Sequence, residues 1–108
     1  MRPQIPEADW KAFRQLHELA LERFSQAVRT QCIAKFGDTA LSEHERYLAV
    51  YELIQSRNSE MARLFDSPRR SMAIIHLRGF WEHGLIGEQD VQGLSEETRK
   101  LAGLRDET

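Results

Sequence analysis

The sequence predicts an all-α fold. Apolar residues recur at threes and fours, helix-capping residues stand at the joints, and nothing alternates convincingly at period two. The expected architecture is a helical bundle of three main helices, over about 8–36, 42–65 and 68–83. A short C-terminal helical hairpin follows over about 88–103. Residues 1–108 read as a single helical domain, with 1–6 and 104–108 as extended or frayed ends.

Pro3 and Pro6 make the first residues an extended lead-in. Asp9 is the expected cap of a helix beginning at Trp10, with an earlier start near Glu7 as the alternative. Trp10, Phe13, Leu16, Ala20, Phe24, Ala27 and Val28 share one side of that helix, and Leu19 and Leu21 widen the stripe. Gly37 is placed to end it. About 27 residues at about 1.5 Å each give a helix of roughly 40 Å, longer than a compact chain of this size. Either the helix breaks around Thr30-Gln31, or it overhangs and packs on another subunit.

Ser42 with Glu45 three residues on forms a capping-box pattern. Tyr47, Val50, Tyr51, Ile54, Met61 and Phe65 then repeat at helical spacing. Asn58 interrupts that stripe: it either finds buried hydrogen-bond partners or marks where the apolar contact opens to solvent. Ser67 as cap and Pro68 as first helical residue are expected to start the third helix. Met72, Ala73, Ile74, Ile75, Leu77, Phe80 and Trp81 surround most of its axis, which predicts burial on several sides. Gly79 would permit a close helix approach.

The stretch WEHGLIGEQDVQGL, Trp81 to Leu94, reads as a corner. Gly84 suits the left-handed residue that ends a helix, and Leu85 the hydrophobic that folds back on the last turn. Gly87 is the expected cap before the acidic start Glu88-Gln89-Asp90. Val91 and Leu94 should face the third helix, and Ser95 should cap a last short helix, EETRKLAG.

Composition bounds the function. With 41% hydrophobic and 30% charged residues, the chain is neither disordered nor membranous, and no membrane association is expected. The start has no apolar segment of the secretory type, and Cys32 is alone, which together favour a reducing cytoplasm. The balance of 15 basic and 17 acidic residues disfavours a general phosphate-binding protein. The charge is uneven: residues 10–36 carry five basic and two acidic side chains, residues 84–108 three basic and six acidic.

Little points to catalysis. His76 and His83 stand two helical turns apart, too far to share an ion, and no pattern joins Cys32 or His44 to a site. His17 borders the first apolar stripe, where a satisfied interfacial histidine is expected. Paired carboxylates such as Glu43/Glu45 and Glu96/Glu97 sit at helix starts, where the dipole explains them. No catalytic, cofactor or metal residue is assigned. The sharper lead is DSPRRS, 66–71, where Arg69 and Arg70 would face an unfavourable helix dipole unless a carboxylate (Asp66, Glu60 or the acidic tail) or an external anion offsets it. A DNA-reading helix-turn-helix fits less well, because its second helix would present GEQD to the phosphates.

The segment LRGFWEHGLIGEQDVQGL, residues 77–94, resembles the helical hairpin of SHOCT domains, with Gly87 where Ser or Thr is usual. That resemblance implies an interaction or oligomerisation element. More broadly, DWKAFRQLHELALERF, SEHERYLAVYELI, DSPRRSMAI and LSEETRKLAG look like a family of small uncharacterised helical bacterial proteins, which implies the fold class and a bacterial cytoplasmic setting.

The expected function is a small cytoplasmic interaction or regulatory protein, homodimeric, with an unidentified protein partner and no catalytic activity. Trp10, Phe13, Phe24, Tyr47, Tyr51, Phe80 and Trp81 are expected in the core or dimer interface. The alternatives are nucleic-acid or phosphate-ligand binding through Arg69, Arg70 and the basic first helix, and an apolar ligand pocket between helices.

Overall fold

The computed structural model describes residues 5–105. Within them the chain forms α1 (Glu7–Phe36), α2 (Glu43–Phe65), a 3₁₀ turn (Arg70–Met72), α3 (Ala73–Glu82) and α4 (Glu96–Ala102), and no strand. The all-α class holds. The ends expected at 1–4 and 106–108 lie outside the described residues. Leu104, expected to fray, is instead buried, and its N–H bonds to the Arg99 carbonyl at 2.9 Å. A leucine at that position packs down onto the turn that ends α4.

α1 is one unbroken helix of 30 residues, about 45 Å long. Thr30, where a break was conceivable, bonds its hydroxyl to the Gln26 carbonyl within a regular turn. The overhang is real: the chain measures 54 × 30 × 20 Å with a radius of gyration of 16.9 Å, against about 13 Å for a compact chain of this length.

The core is built around the first half of α1, the end of α2, and α3. Trp10, Phe13, Phe80, Phe65 and Phe24 form a continuous aromatic row, with successive centroids 5.3, 6.2, 5.2 and 5.7 Å apart. Stacked and edge-on rings at these separations add attraction beyond area burial. His17 and His76 sit in this row as satisfied residues. Their ring N–H groups donate to the Phe65 and Leu64 carbonyls at 3.0 and 2.8 Å, the open end of α2. Leu64 also approaches Gly79, where an added Cβ would stand 3.2 Å from its Cδ2, so the close approach expected at Gly79 is present.

Several sequence expectations need correction. Asp9 does not cap α1, which starts at Glu7 after Pro6. It lies inside the first turn, 2% exposed, and accepts hydrogen bonds from the Ser95 N–H (2.8 Å), the Ser95 hydroxyl (2.6 Å) and the Thr98 hydroxyl. Burial pushes its carboxyl up, but the hydrogen bonds from Ser95 and Thr98 outweigh it and hold the group below the ordinary aspartate range. Asp9 is thus the staple that ties the start of α4 to the start of α1.

Ser67 and Pro68 do not start α3. Ser67 adopts a left-handed φ of 52°, and the chain stays extended to Arg69 before the 3₁₀ turn. The connection must reverse direction between α2 and α3, and the Arg70 Nε donates to the Ile5 carbonyl at 2.9 Å to hold it. Gly87 caps no helix either: residues 88–94 are turns, so the expected hairpin helix reduces to α4. Asp90 explains this. Its carboxylate accepts the Gly87 N–H at 2.8 Å and the Arg23 guanidinium at 2.7 and 3.2 Å, which favours a local turn over a helix. Val91 and Leu94 are nevertheless buried as expected. α3 is not buried all round, because Ile75 lies exposed.

α3 and α4 end alike. Gly84 has φ 68°, Leu85 N–H returns to the Phe80 carbonyl at 2.9 Å, and Leu85 is buried. Gly103 has φ 70°, and a Cβ there would overlap the Arg78 guanidinium that donates to its carbonyl. Gly103→Ala should therefore lower stability by about 1–2 kcal/mol, read as a lower urea midpoint at constant slope. An unchanged midpoint would show that the α3–α4 junction relaxes freely.

Candidate interaction surface

Beyond the core, α1 and α2 continue together as a two-helix hairpin. Past Phe24, α1 has no buried residue, and ahead of Leu64, α2 has only Val50. The turn is built by the capping box foreseen at Ser42 and Glu45, whose N–H and carboxylate bonds measure 3.1 and 2.8 Å. Gly37 ends α1 in right-handed geometry, with its N–H on the Ile33 carbonyl at 2.9 Å. Two polar links set the antiparallel register. Arg46 Nε donates to the Asp38 carbonyl at 2.9 Å near the turn, and Arg57 Nε donates to Gln31 Oε1 at 3.1 Å toward the core.

Between those links the hairpin exposes large apolar side chains. Ile33 and Phe36 of α1, with Tyr47, Leu48, Tyr51 and Ile54 of α2, are each 40–60% exposed. Tyr47, Tyr51 and Ile54 follow at i, i+4 and i+7, so they form one stripe along α2, with Leu48 beside it. Asn58 continues the stripe, is itself exposed, and so marks its end at solvent. The Gln55 amide donates to the Tyr51 hydroxyl at 2.8 Å, and the His44 ring stacks on Tyr47 with centroids 6.2 Å apart. The stripe is therefore preorganised as well as exposed.

No family model matches the chain, and no curated protein or solved structure matches it. The surface must be read from its own chemistry.

At the base of the hairpin stands a charged cluster. Arg57 meets Glu60 at 3.1 Å, and His83 Nε2 lies 3.3 Å from the other Glu60 oxygen while its Nδ1–H donates to the Gly79 carbonyl at 2.9 Å. Glu60 is thereby committed, and it is not the partner of Arg69 or Arg70. On the other side Arg23 bridges Asp90 and the Leu85 carbonyl, at 2.7 and 2.9 Å. The Arg23 hydrogen bond, followed by that of the Gly87 N–H, holds the Asp90 carboxyl low. These contacts fix the corner segment to α1 and brace the root of the hairpin.

The sequence-predicted residues divide. Phe13, Phe24 and Phe80 are buried in the core, with Trp10 and Trp81 half-buried against it. Tyr47 and Tyr51 are not core residues, because α3 and α4 do not cover that part of α2. Arg69 and Arg70 do not converge on one point as a first-turn pair. Arg70 is spent on the Ile5 carbonyl, and Arg69 projects from the extended connection into solvent. Ile33, Phe36 and Leu48 were not foreseen. The signal was available: the first stripe stops at Val28, yet apolar residues continue to Phe36 on a helix too long for its own core.

Among the described residues no three His, Cys, Asp or Glu side chains are placed to hold a metal ion, and no helix is long and apolar enough to cross a membrane. An open groove between α3 and α4 is lined by Ile74, Ile75, Leu101 and Ala102, with Arg78 crossing it to Glu82 at 2.7 Å and to the Gly103 carbonyl at 3.1 Å.

Proposed function

We propose that this chain is a small non-catalytic interaction protein of the cytoplasm, which docks another protein chain on the free end of its α1–α2 hairpin. One observation carries the reading. Six large apolar side chains stand exposed between two polar links, on a two-helix layer that no third element covers among the described residues. Isolated exposed apolar residues need no explanation, but a preorganised stripe of them marks an interaction surface. Tyrosine suits such a surface, because it offers apolar area and a hydrogen-bonding tip at small entropic cost.

The test is cross-linking in host lysate of the full chain beside a Tyr47→Ser/Tyr51→Ser/Ile54→Ser variant. The wild type should give a discrete adduct, and the variant should lose most of it while keeping its helical circular dichroism. An adduct that survives the three substitutions, or none from either chain, would remove the hairpin as the docking surface.

A second reading is nucleic-acid or phosphate-ligand binding. It is favoured by Arg69, which is exposed and has no side-chain partner among the described residues, with Lys11 and Arg14 exposed on the basic first helix. It requires binding of a single-stranded oligonucleotide or inorganic phosphate that weakens steeply with salt and with Arg69→Ala. Binding indifferent to both would end it.

A further inference from the structure

We propose that the occupant of the hairpin is a second copy of this chain, related by a two-fold axis, with α1 of each protomer packed against α2 of its partner. The proposal rests on the hairpin being the docking surface and supplies its partner. Geometry comes first. The distal hairpin is two helices thick, and its apolar stripe faces outward from that layer. Two such hairpins make four helices around a shared apolar axis, the usual number for a closed bundle. The overhang that makes the monomer 54 Å long is the part that would be enclosed.

Charge selects the partner. An interface with two-fold symmetry must be its own complement, since the same patch serves both sides. Residues 25–36 of α1 carry Arg29 and Lys35 and no acidic residue, whereas residues 43–54 of α2 carry Glu43, Glu45 and Glu52 against Arg46. Arg29 shares the face of Ile33 and Phe36 at i+4 and i+7, and Glu52 follows Leu48 at i+4, so the exposed face carries both members of a complementary pair. α1 against the partner's α2 brings opposite charges together twice, whereas α1 against the partner's α1 would bring Arg29 onto its own copy. Glu45 is occupied by the Ser42 cap and Glu43 by Arg46, so Glu52 is the acidic residue left to meet a basic one.

Area sets the strength. The six side chains expose on the order of 500 Å², and a specific interface buries about 800 Å² from each partner. The aliphatic stem of Arg29 can supply part of the remainder. Such an area, with three aromatic anchors in Phe36, Tyr47 and Tyr51, fits a dimer of roughly micromolar affinity.

The measurement is the mass of the purified full chain by light scattering and sedimentation, from about 1 to about 200 μM. Wild type should rise from one chain of 12.6 kDa toward twice that mass. Tyr51→Glu/Ile54→Glu should weaken association about a hundred-fold or more. Both residues are solvent-facing, so its circular dichroism should be unchanged, and the milder Tyr51→Ser/Ile54→Ser should act in the same direction. Arg29→Glu and Glu52→Arg should each weaken self-association several-fold, and mixing the two variants should restore it. That restoration comes only from contacts between chains. A wild type that stays at 12.6 kDa throughout overturns the proposal; if hairpin-dependent adducts still form in lysate, the docking surface stands with a different partner. A dimer that survives both double variants overturns it too, because it forms through another face. Dimerisation without rescue on mixing overturns the α1-to-α2 pairing.

Discussion

Phe80→Ala should cost about 3–5 kcal/mol, the range for a large aromatic removed from a packed core. Phe80 is fully buried and touches both neighbours in the aromatic row, at 6.2 Å from Phe13 and 5.2 Å from Phe65. His17 and His76 also pack on it, with centroids 5.9 and 6.2 Å away. Few routes exist for the site to collapse, because the rings around it come from α1, α2 and α3 and are each fixed by further contacts. A domain of this size has only about 5–15 kcal/mol in total, so the variant should be partly unfolded at ambient temperature or melt far below wild type. Tyr51→Ala is the contrast. Measured where the protein is monomeric, it should shift stability by no more than about 0.5 kcal/mol. If Phe80→Ala and Tyr51→Ala destabilise the monomer equally, the division between core and proposed docking surface is wrong. At concentrations where chains associate, Tyr51→Ala should also remove any dependence of the melting temperature on protein concentration.

Asp9→Ala should cost about 2–4 kcal/mol, the second large effect. Removing the carboxylate leaves the Ser95 N–H and the Thr98 hydroxyl without their acceptor, and Thr98 is 1% exposed. Buried donors without partners lose more than the hydrogen bond itself. The expected signature is a loosened α4, read as faster amide exchange from Ser95 to Leu104 than in α3. Equal exchange in α3 and α4 would mean that Asp9 does not act as a local staple. The same group carries a pH dependence. The Asp9 and Asp90 carboxyls are held below the ordinary aspartate range when folded. Their contribution is therefore fully present above the unfolded value of about 4 and is lost as pH falls through the folded values. Wild type should lose stability below about pH 4, and Asp9→Ala should lose less of it over the same range. Parallel pH curves for the two proteins would contradict the Asp9 part of this account.

The helices with strong local signals were legible in the sequence. Ser42 and Glu45 close a capping box from four consecutive residues, and Gly84 with Leu85 ends α3 through bonds within one turn. Such signals survive because they need no distant partner. The failures are local patterns overridden by remote groups. Asp9 looks like a cap, but its acceptors are better used 86 residues away on Ser95. Ser67-Pro68 looks like a helix start, but the reversal between α2 and α3 needs a left-handed residue and the Arg70 anchor on Ile5. Glu88-Gln89-Asp90 looks like a first turn, but Arg23 captures Asp90 from α1.

The proposed docking surface divides in the same way. Periodicity located Tyr47, Tyr51 and Ile54 on one stripe, and helix length required either a break or an overhang, because a rise of about 1.5 Å per residue is fixed by hydrogen bonding within the helix. Which side of that stripe meets a neighbour is fixed by nothing local. The sequence by itself determined the all-α class, the lengths of α1 and α2, the Ser42 and Ser95 caps and the glycine ends of the helices, since each depends on residues within a turn or two of one another. Only the tertiary structure decided that the core closes around Phe13, Phe65 and Phe80 and leaves Ile33, Phe36, Tyr47, Leu48, Tyr51 and Ile54 uncovered. The physical reason is that burial depends on where α3 and α4 end: Asp9 and the Ile5 carbonyl hold them to the start of α1, through Ser95 and Arg70, and Arg23 holds the corner between them to its middle.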